Sequence, residues 1–233
     1  MKTQAFLTPA PSRGDRARLL LLEAAADRFG EVGPEGATLR DIARAAGQNI
    51  AAIAYYFGNK EKLYHAVLEA IVREIRHRLG SILEEIRATE DSGPLAPARA
   101  RTLLARFLRT VYLGILSRNE SAPIARLIVR ELMQPTAGFD ILYGQGFRQL
   151  HETLCRLTGA ALGRDPESKE VIIRTHTLMG QVYFFAMSRA AILRRLGWKD
   201  LEGGNAELVA DIVDENLEVL LRGLRSRSTK CKS

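Results

Sequence analysis

Residues 41–60, DIARAAGQNIAAIAYYFGNK, place two short apolar-periodic segments on either side of one glycine, and the second carries no charge until Lys60. In the first segment Ile42, Ala43 and Ala46 follow Leu39 at helical spacing. Thr38, three residues before Asp41, makes a capping box with Asp in place of the usual Glu or Gln. Gly47 ends that helix. Asn49 is placed to cap the next, in which Ile53 and Phe57 face the same core, and Gly58 stops it before Asn59 caps a fourth. Upstream, Leu22, Ala25 and Phe29 define a first helix over about 16–32, with Gly33 as its left-handed stop.

Two short helices joined by a tight glycine turn, with a third packed across them, form a helix-turn-helix, an arrangement whose second short helix lies in the DNA major groove. With Ile53 and Phe57 turned inward, Asn49, Ile50, Ala51, Ala52 and Ala54 face outward near the end that enters the groove. Asn49 is then the main polar reader, able to make a bidentate contact to adenine. The apolar positions touch thymine methyls or permit close approach, which predicts an A/T-dependent component in the site. Tyr55 and Tyr56 can donate hydroxyl bonds to phosphates, and Lys60 stands in the first turn of the next helix, where backbone N–H groups also favour an anion.

The fourth helix runs through Leu63, Val67 and Ile71 and is expected to continue to about residue 87. TEDSGPLAP, 89–97, reads as a linker. Further helices are expected at about 98–117, 123–133, 140–159, 167–196 and 205–225, and no strand is convincing. The fold class is therefore all-α. An N-terminal three-helix helix-turn-helix domain occupies 1–75, its first 12 or so residues disordered, and a larger helical ligand-binding and dimerisation domain with a basic C-terminal tail occupies 76–233.

In that second part Met133, Phe139, Tyr143, Phe147, Met179, Tyr183, Phe184 and Met187 are apolar groups from which a ligand pocket could be built, although core packing is the plainer role for any one of them. His151 and His176 are candidate polar contacts for the same ligand. Broad apolar stripes on the last two helices suit an isologous twofold interface, hence a homodimer.

The 233 residues are 46% hydrophobic and 26% charged with a net charge of +7, which fits a soluble protein with an acidic partner such as nucleic acid or an anionic membrane surface. Two cysteines, Cys155 and Cys231, are too few for a disulfide framework or a zinc site, so no metal is expected. The N-terminus has no secretory apolar core, and no apolar run reaches the roughly 18 residues of a membrane span. A cytoplasmic protein without a membrane partner follows. There is no phosphate-binding glycine loop, no HExxH, no nucleophile elbow and no paired-cysteine signature, so neither catalytic residues nor a cofactor are expected. An enzyme or a membrane-surface module using the apolar C-terminal part stands as the alternative.

The segments LLEAAADRFGEVG, TLRDIARAAG and YYFGNKEKLYHAV together resemble the TetR family of transcriptional regulators over about 16–71. That resemblance implies phosphate contacts at Thr38, Tyr55, Tyr56 and Lys60 and base contacts at Asn49, Ile50, Ala51, Ala52 and Ala54. Gln48 departs from the valine common under the turn, Ala54 from an aromatic or Asn, and Tyr56 from a His. From about residue 98, ARLIVRELMQPTAGFDILY and RTHTLMGQVYFFAMSRAAILRRLGW resemble the regulatory domain of the CecR branch. The resemblance implies a dimeric repressor on double-stranded DNA with a palindromic operator, released by a small-molecule effector and controlling efflux or drug-response genes.

Overall fold

The computed structural model describes residues 13–116 and 122–230. Twelve α-helices occur among them. The first four are α1 (Arg13–Gly36), α2 (Leu39–Ala45), α3 (Ile50–Phe57) and α4 (Lys60–Arg78). Next come α5 (Gly80–Asp91), α6 (Pro97–Val111), α7 (Ala122–Met133) and α8 (Ala137–Leu142). The chain ends with α9 (Arg148–Leu162), α10 (Lys169–Met187), α11 (Arg189–Leu196) and α12 (Gly203–Lys230). Wide π-helical turns follow α6 at Tyr112–Leu116 and α8 at Tyr143–Phe147. The expected disorder of the first 12 residues and the end of the basic tail, with Cys231, lie outside the described residues.

Two compact units form among the described residues, and they do not follow a single cut in the chain: residues 13–77 and 122–147 make one, residues 78–116 and 148–230 the other. In the first unit Leu21, Ala25 and Phe29 of α1 meet Ile42, Ile53, Phe57, Leu63 and Ile71 in one core. To this core α7 adds Ile124, Leu127 and Ile128. The approach of α7 to α1 demands glycine: a Cβ at Gly30 would lie 2.7 Å from the Pro123 carbonyl oxygen. Gly33, where a stop was expected, is instead a kink inside α1 with φ 78, and the helix resumes through Pro34 for one more turn. Positive φ suits glycine, and the Arg130 guanidinium fills the place its side chain would take.

A buried carboxylate ties α7 and α8 to α4. Glu131 is fully buried and accepts from the Tyr64 hydroxyl at 2.6 Å, the Thr136 amide at 3.1 Å and the Thr136 hydroxyl at 2.9 Å. Thr136 in turn caps α8 by accepting from the Gly138 amide. Burial, then the bond to Glu131, holds the Tyr64 phenol far above its ordinary pKa, so it remains a donor.

The second unit packs α6 and α9 with α10 and α12 around Leu103, Leu104, Phe107, Leu154, Leu157, Val182 and Leu217. Arg109 of α6 reaches three carboxylates of α12: Asp211 at 2.8 Å, Asp214 at 3.0 Å, and Glu207. The long helix expected to run to about residue 87 breaks at Leu79, ahead of Gly80, a poor helix former. The stretch expected as one helix over 167–196 breaks at Ser188, whose Oγ donates to the Phe184 carbonyl and competes with the backbone ladder. The linker is shorter than expected, because α5 continues to Asp91 and α6 begins at Pro97.

Glu131→Leu removes the acceptor from a buried phenol and a helix-capping threonine. We expect a loss of about 2–4 kcal/mol in stability, with part of it regained by adding Tyr64→Phe, which retires the orphaned donor; urea midpoints of the single and double variants measure both. An unchanged midpoint for Glu131→Leu would remove this carboxylate from the account of the fold.

Candidate nucleic-acid interface

The turn between α2 and α3 is built as the sequence implies. Thr38 caps α2, its Oγ1 accepting from the Asp41 amide at 3.1 Å and donating to the Asp41 carboxylate at 2.7 Å. That hydroxyl, ahead of nearby Arg44, pulls the Asp41 pKa down. Gly47 takes φ 63, and the Gln48 amide closes the turn on the Ala43 carbonyl at 2.9 Å. Asn49 caps α3 by accepting from the Ala51 amide at 3.0 Å, and Gly58 ends it at φ 84.

Held by Ile53 (0% exposed) and Phe57 (7%), α3 turns its other side to solvent. Ile50 is 48% exposed and Tyr55 83%, with Asn49, Ala51 and Ala54 also exposed. Ala52 is placed differently from the expectation: it is half-buried against the core, because it lies four residues before Tyr56 on the flank of the inward stripe. Tyr56 packs there too, edge-on to Tyr55 with ring centroids 4.9 Å apart. Lys60 is half-buried, and its Nζ donates to the Ala37 carbonyl at 3.4 Å.

The cap limits what Asn49 offers. Its Oδ1 is engaged by the Ala51 amide, which leaves Nδ2 to donate, whereas a bidentate contact to adenine needs both atoms. Sequence reasoning passed over the exposed cations Arg40, Arg44 and Lys62 that flank α3 in chain order. Arg44 has its side chain 80% exposed while pairing with Asp41 at 2.8 Å. Its spacing three residues after Asp41 was the available signal. The packing of residues 122–147 with this head was also missed, and no local pattern announces it.

The candidate ligand residues divide between the units. Met133, Phe139, Tyr143 and Phe147 belong to the first, where Phe139 and Tyr143 stack at 5.6 Å, Phe147 packs against the core and Met133 is exposed. In the second unit the His151 and His176 rings are 6.2 Å apart, and the Cys155 Sγ lies 3.4 Å from His151 Nδ1. Burial first, and His176 second, pull the His151 pKa down. Met179 is buried and Tyr183 half-buried, while His176, Phe184 and Met187 are exposed. Among the described residues no helix is long and apolar enough to cross a membrane.

Comparison with known proteins agrees with this architecture. Residues 21–67 match the family model of the bacterial regulatory proteins of the tetR family, and residues 100–224 match the C-terminal domain of the HTH-type transcriptional dual regulator CecR. The chain is 35% identical over 216 residues to the HTH-type transcriptional dual regulator CecR of Shigella flexneri, covering 93% of this chain and 96% of that one. Among solved structures, a TetR-family transcriptional regulator from Mesorhizobium loti superposes with TM-score 0.58 at 17% identity, covering 91% of this chain and 98% of that one. AibR, solved in complex with isovaleryl coenzyme A and operator DNA, superposes with TM-score 0.62 at 16% identity, covering 85% and 96%. A helix-turn-helix with its outer face bare, joined to a helical C-terminal half of the CecR type, makes this chain a DNA-binding transcriptional regulator of the TetR family rather than an enzyme.

Proposed function

We propose that the chain acts in the cytoplasm as a homodimeric, ligand-responsive repressor, binding a palindromic operator and leaving it when a small-molecule effector binds, with efflux or drug-response genes as its targets. The observation that carries the DNA half is the bare face of α3, where Asn49, Ile50, Ala51, Ala54 and Tyr55 stand exposed while Ile53 and Phe57 anchor the helix. Small side chains let the helix backbone approach the groove floor, the Asn49 Nδ2 donates to a base edge, and Tyr55 with Lys60 serves the phosphates, while the Thr38 hydroxyl, committed to Asp41, holds the cap. Ala52 and Tyr56 support the helix from its flank.

The effector half is supported by relatives rather than by a ligand: AibR is described with a coenzyme A thioester and its operator together. Release is a population shift. An effector lowers operator affinity only by the difference in its affinity for the two conformers, so a tight ligand without preference changes nothing. Residues 120–147 are suited to pass the change on, because they join the second unit in chain order at both ends and are held to α4 through Glu131 and Tyr64.

The dimer reading rests on two exposed apolar lines in the second unit. On α10, Ile173, Phe184 and Met187 recur on one side with Gly180 between them; on α12, Leu208, Ile212 and Val219 do the same. The inward positions Val209, Val213, Leu217 and Leu221 are already buried in the subunit itself. Val219, 73% exposed, costs the lone subunit little when changed. Val219→Glu is therefore expected to shift sedimentation from dimer toward monomer while the circular dichroism melt stays within a few degrees; an unchanged dimer would move the interface elsewhere.

Asn49→Ser keeps a capping oxygen and deletes the amide donor. Fluorescence anisotropy on a selected operator should show a loss of about 0.5–1.5 kcal/mol of specific affinity, the usual worth of one hydrogen bond, with non-specific affinity and thermal stability unchanged. Equal losses on operator and scrambled duplex would deny Asn49 a reading role. Since the Shigella flexneri relative is described as a dual regulator, the sign of control is to be read from a promoter fusion, and activation by the bound dimer would replace repression in this reading.

A further inference from the structure

Among the described helices, α11 alone buries no residue. Ser188 breaks it away from α10 by donating to the Phe184 carbonyl, and Gly197 ends it in the left-handed conformation with its amide bonded to the Leu193 carbonyl. Ile192, Leu193 and Trp198 are half-buried and hold one side of α11 to its subunit, while Ala190, Ala191, Arg194 and Arg195 are exposed. Arg194 stands one turn after Ala190, and Arg195 one turn after Ala191, so the outer face is small in its first turn and cationic in its second. Arg194 and Arg195, with Lys199 just past the helix, form no ion pair among the described residues.

The last helix carries the opposite charge. Five carboxylates of α12, on Glu207, Asp211, Asp214, Glu215 and Glu218, meet two guanidiniums, those of Arg109 and Arg222, which leaves an excess of three negative charges. Asp211, Glu215 and Glu218 are exposed along one flank of the apolar line of Leu208, Ile212 and Val219. Glu215 has no ion pair among the described residues. The two surfaces are therefore complementary in charge, yet none of the three α11 cations reaches an α12 carboxylate of its own subunit. In chain order α11 also follows directly on Phe184 and Met187, the exposed end of the α10 apolar line.

We propose that α11 is a strap for a second copy of this chain: Arg194, Arg195 and Lys199 of one subunit dock on the acidic flank of α12 in the other, beside the apolar lines of α10 and α12. Twofold symmetry makes the contact twice per dimer. One exposed ion pair contributes little by itself, but grouped charges fix register and reject partners that present the wrong sign. The strap thus selects a second copy over a relative whose last helix lacks the acids. The proposal rests on the homodimer reading and names the residues that decide which chains pair.

Sedimentation equilibrium of the full chain tests the contact. Arg194→Glu with Arg195→Glu reverses the strap, and Glu215→Lys with Glu218→Lys reverses the flank; all four positions are exposed, so circular dichroism melts should stay close to the parent. Each double variant alone should dimerise about tenfold or more weakly than the parent, because like charges then meet at both contacts. Arg194→Gln with Arg195→Gln, which removes charge without reversing it, should lose less. An equimolar mixture of the two reversed variants should recover dimers to within about threefold of the parent affinity, since each mixed pair holds one native and one fully swapped contact. A contact within one chain cannot produce that recovery. Undiminished dimers in either reversed variant, or no recovery on mixing, would overturn the proposal. So would a strap variant that keeps its dimer and loses non-specific DNA affinity, which would make phosphates the occupant. The two readings fail separately: a parent dimer split by Val219→Glu but untouched by both reversals sinks this contact only, and a parent that sediments as a monomer sinks the homodimer reading itself.

Discussion

An eight-residue helix does not hold together on its own in water, where isolated helices need about 12–15 residues to become even marginal. Everything that α3 can do therefore depends on its anchorage through Ile53 and Phe57 into the core shared by α1, α2 and α4. Two inward side chains secure the helix, Ala52 and Tyr56 brace its flank, and Ile50, Ala51, Ala54 and Tyr55 remain exposed. The Asn49 and Gly58 caps complete the job by satisfying its ends locally, so that no long side chain has to fold across the outer face.

That anchorage extends beyond the N-terminal 77 residues. The head's core includes Ile124, Leu127 and Ile128 of α7, brought against α1 by the close approach at Gly30 and fixed to α4 through the Glu131 carboxylate. A carboxylate with no exposure is costly unless its oxygens are bonded, and here three donors meet it. The requirement is directional, so the end of α7 and the start of α8 are held to α4 in one register.

What the sequence made legible was local. Thr38 and Asp41, Gly47, Asn49 and Gly58 each carry a conformational demand that neighbours in the chain meet, and the helix-turn-helix came out with its caps in place. The kink at Gly33, the break at Leu79 and the pairing of Glu131 with Tyr64 answer to contacts or backbone choices that short-range periodicity does not encode. For the same reason the apolar residues of the C-terminal part could be named but not grouped: Phe139 and Tyr143 stack in one unit while Met179 is buried in the other. Asn49 shows the limit most clearly. Its type suggested a two-atom reader, and the cap it makes engages Oδ1 and leaves only Nδ2 to donate.

The central claim is that the bare face of α3 reads sequence as part of a symmetric pair. The measurement that tests it most directly is selection of bound duplexes from a random pool by the full chain, followed by salt titration of the winner against its scrambled counterpart. The account predicts a palindrome with A/T-dependent, dyad-related half-sites, bound well above the scrambled duplex at every salt concentration. Binding that is equally strong to any sequence and falls with salt along one common line would contradict it.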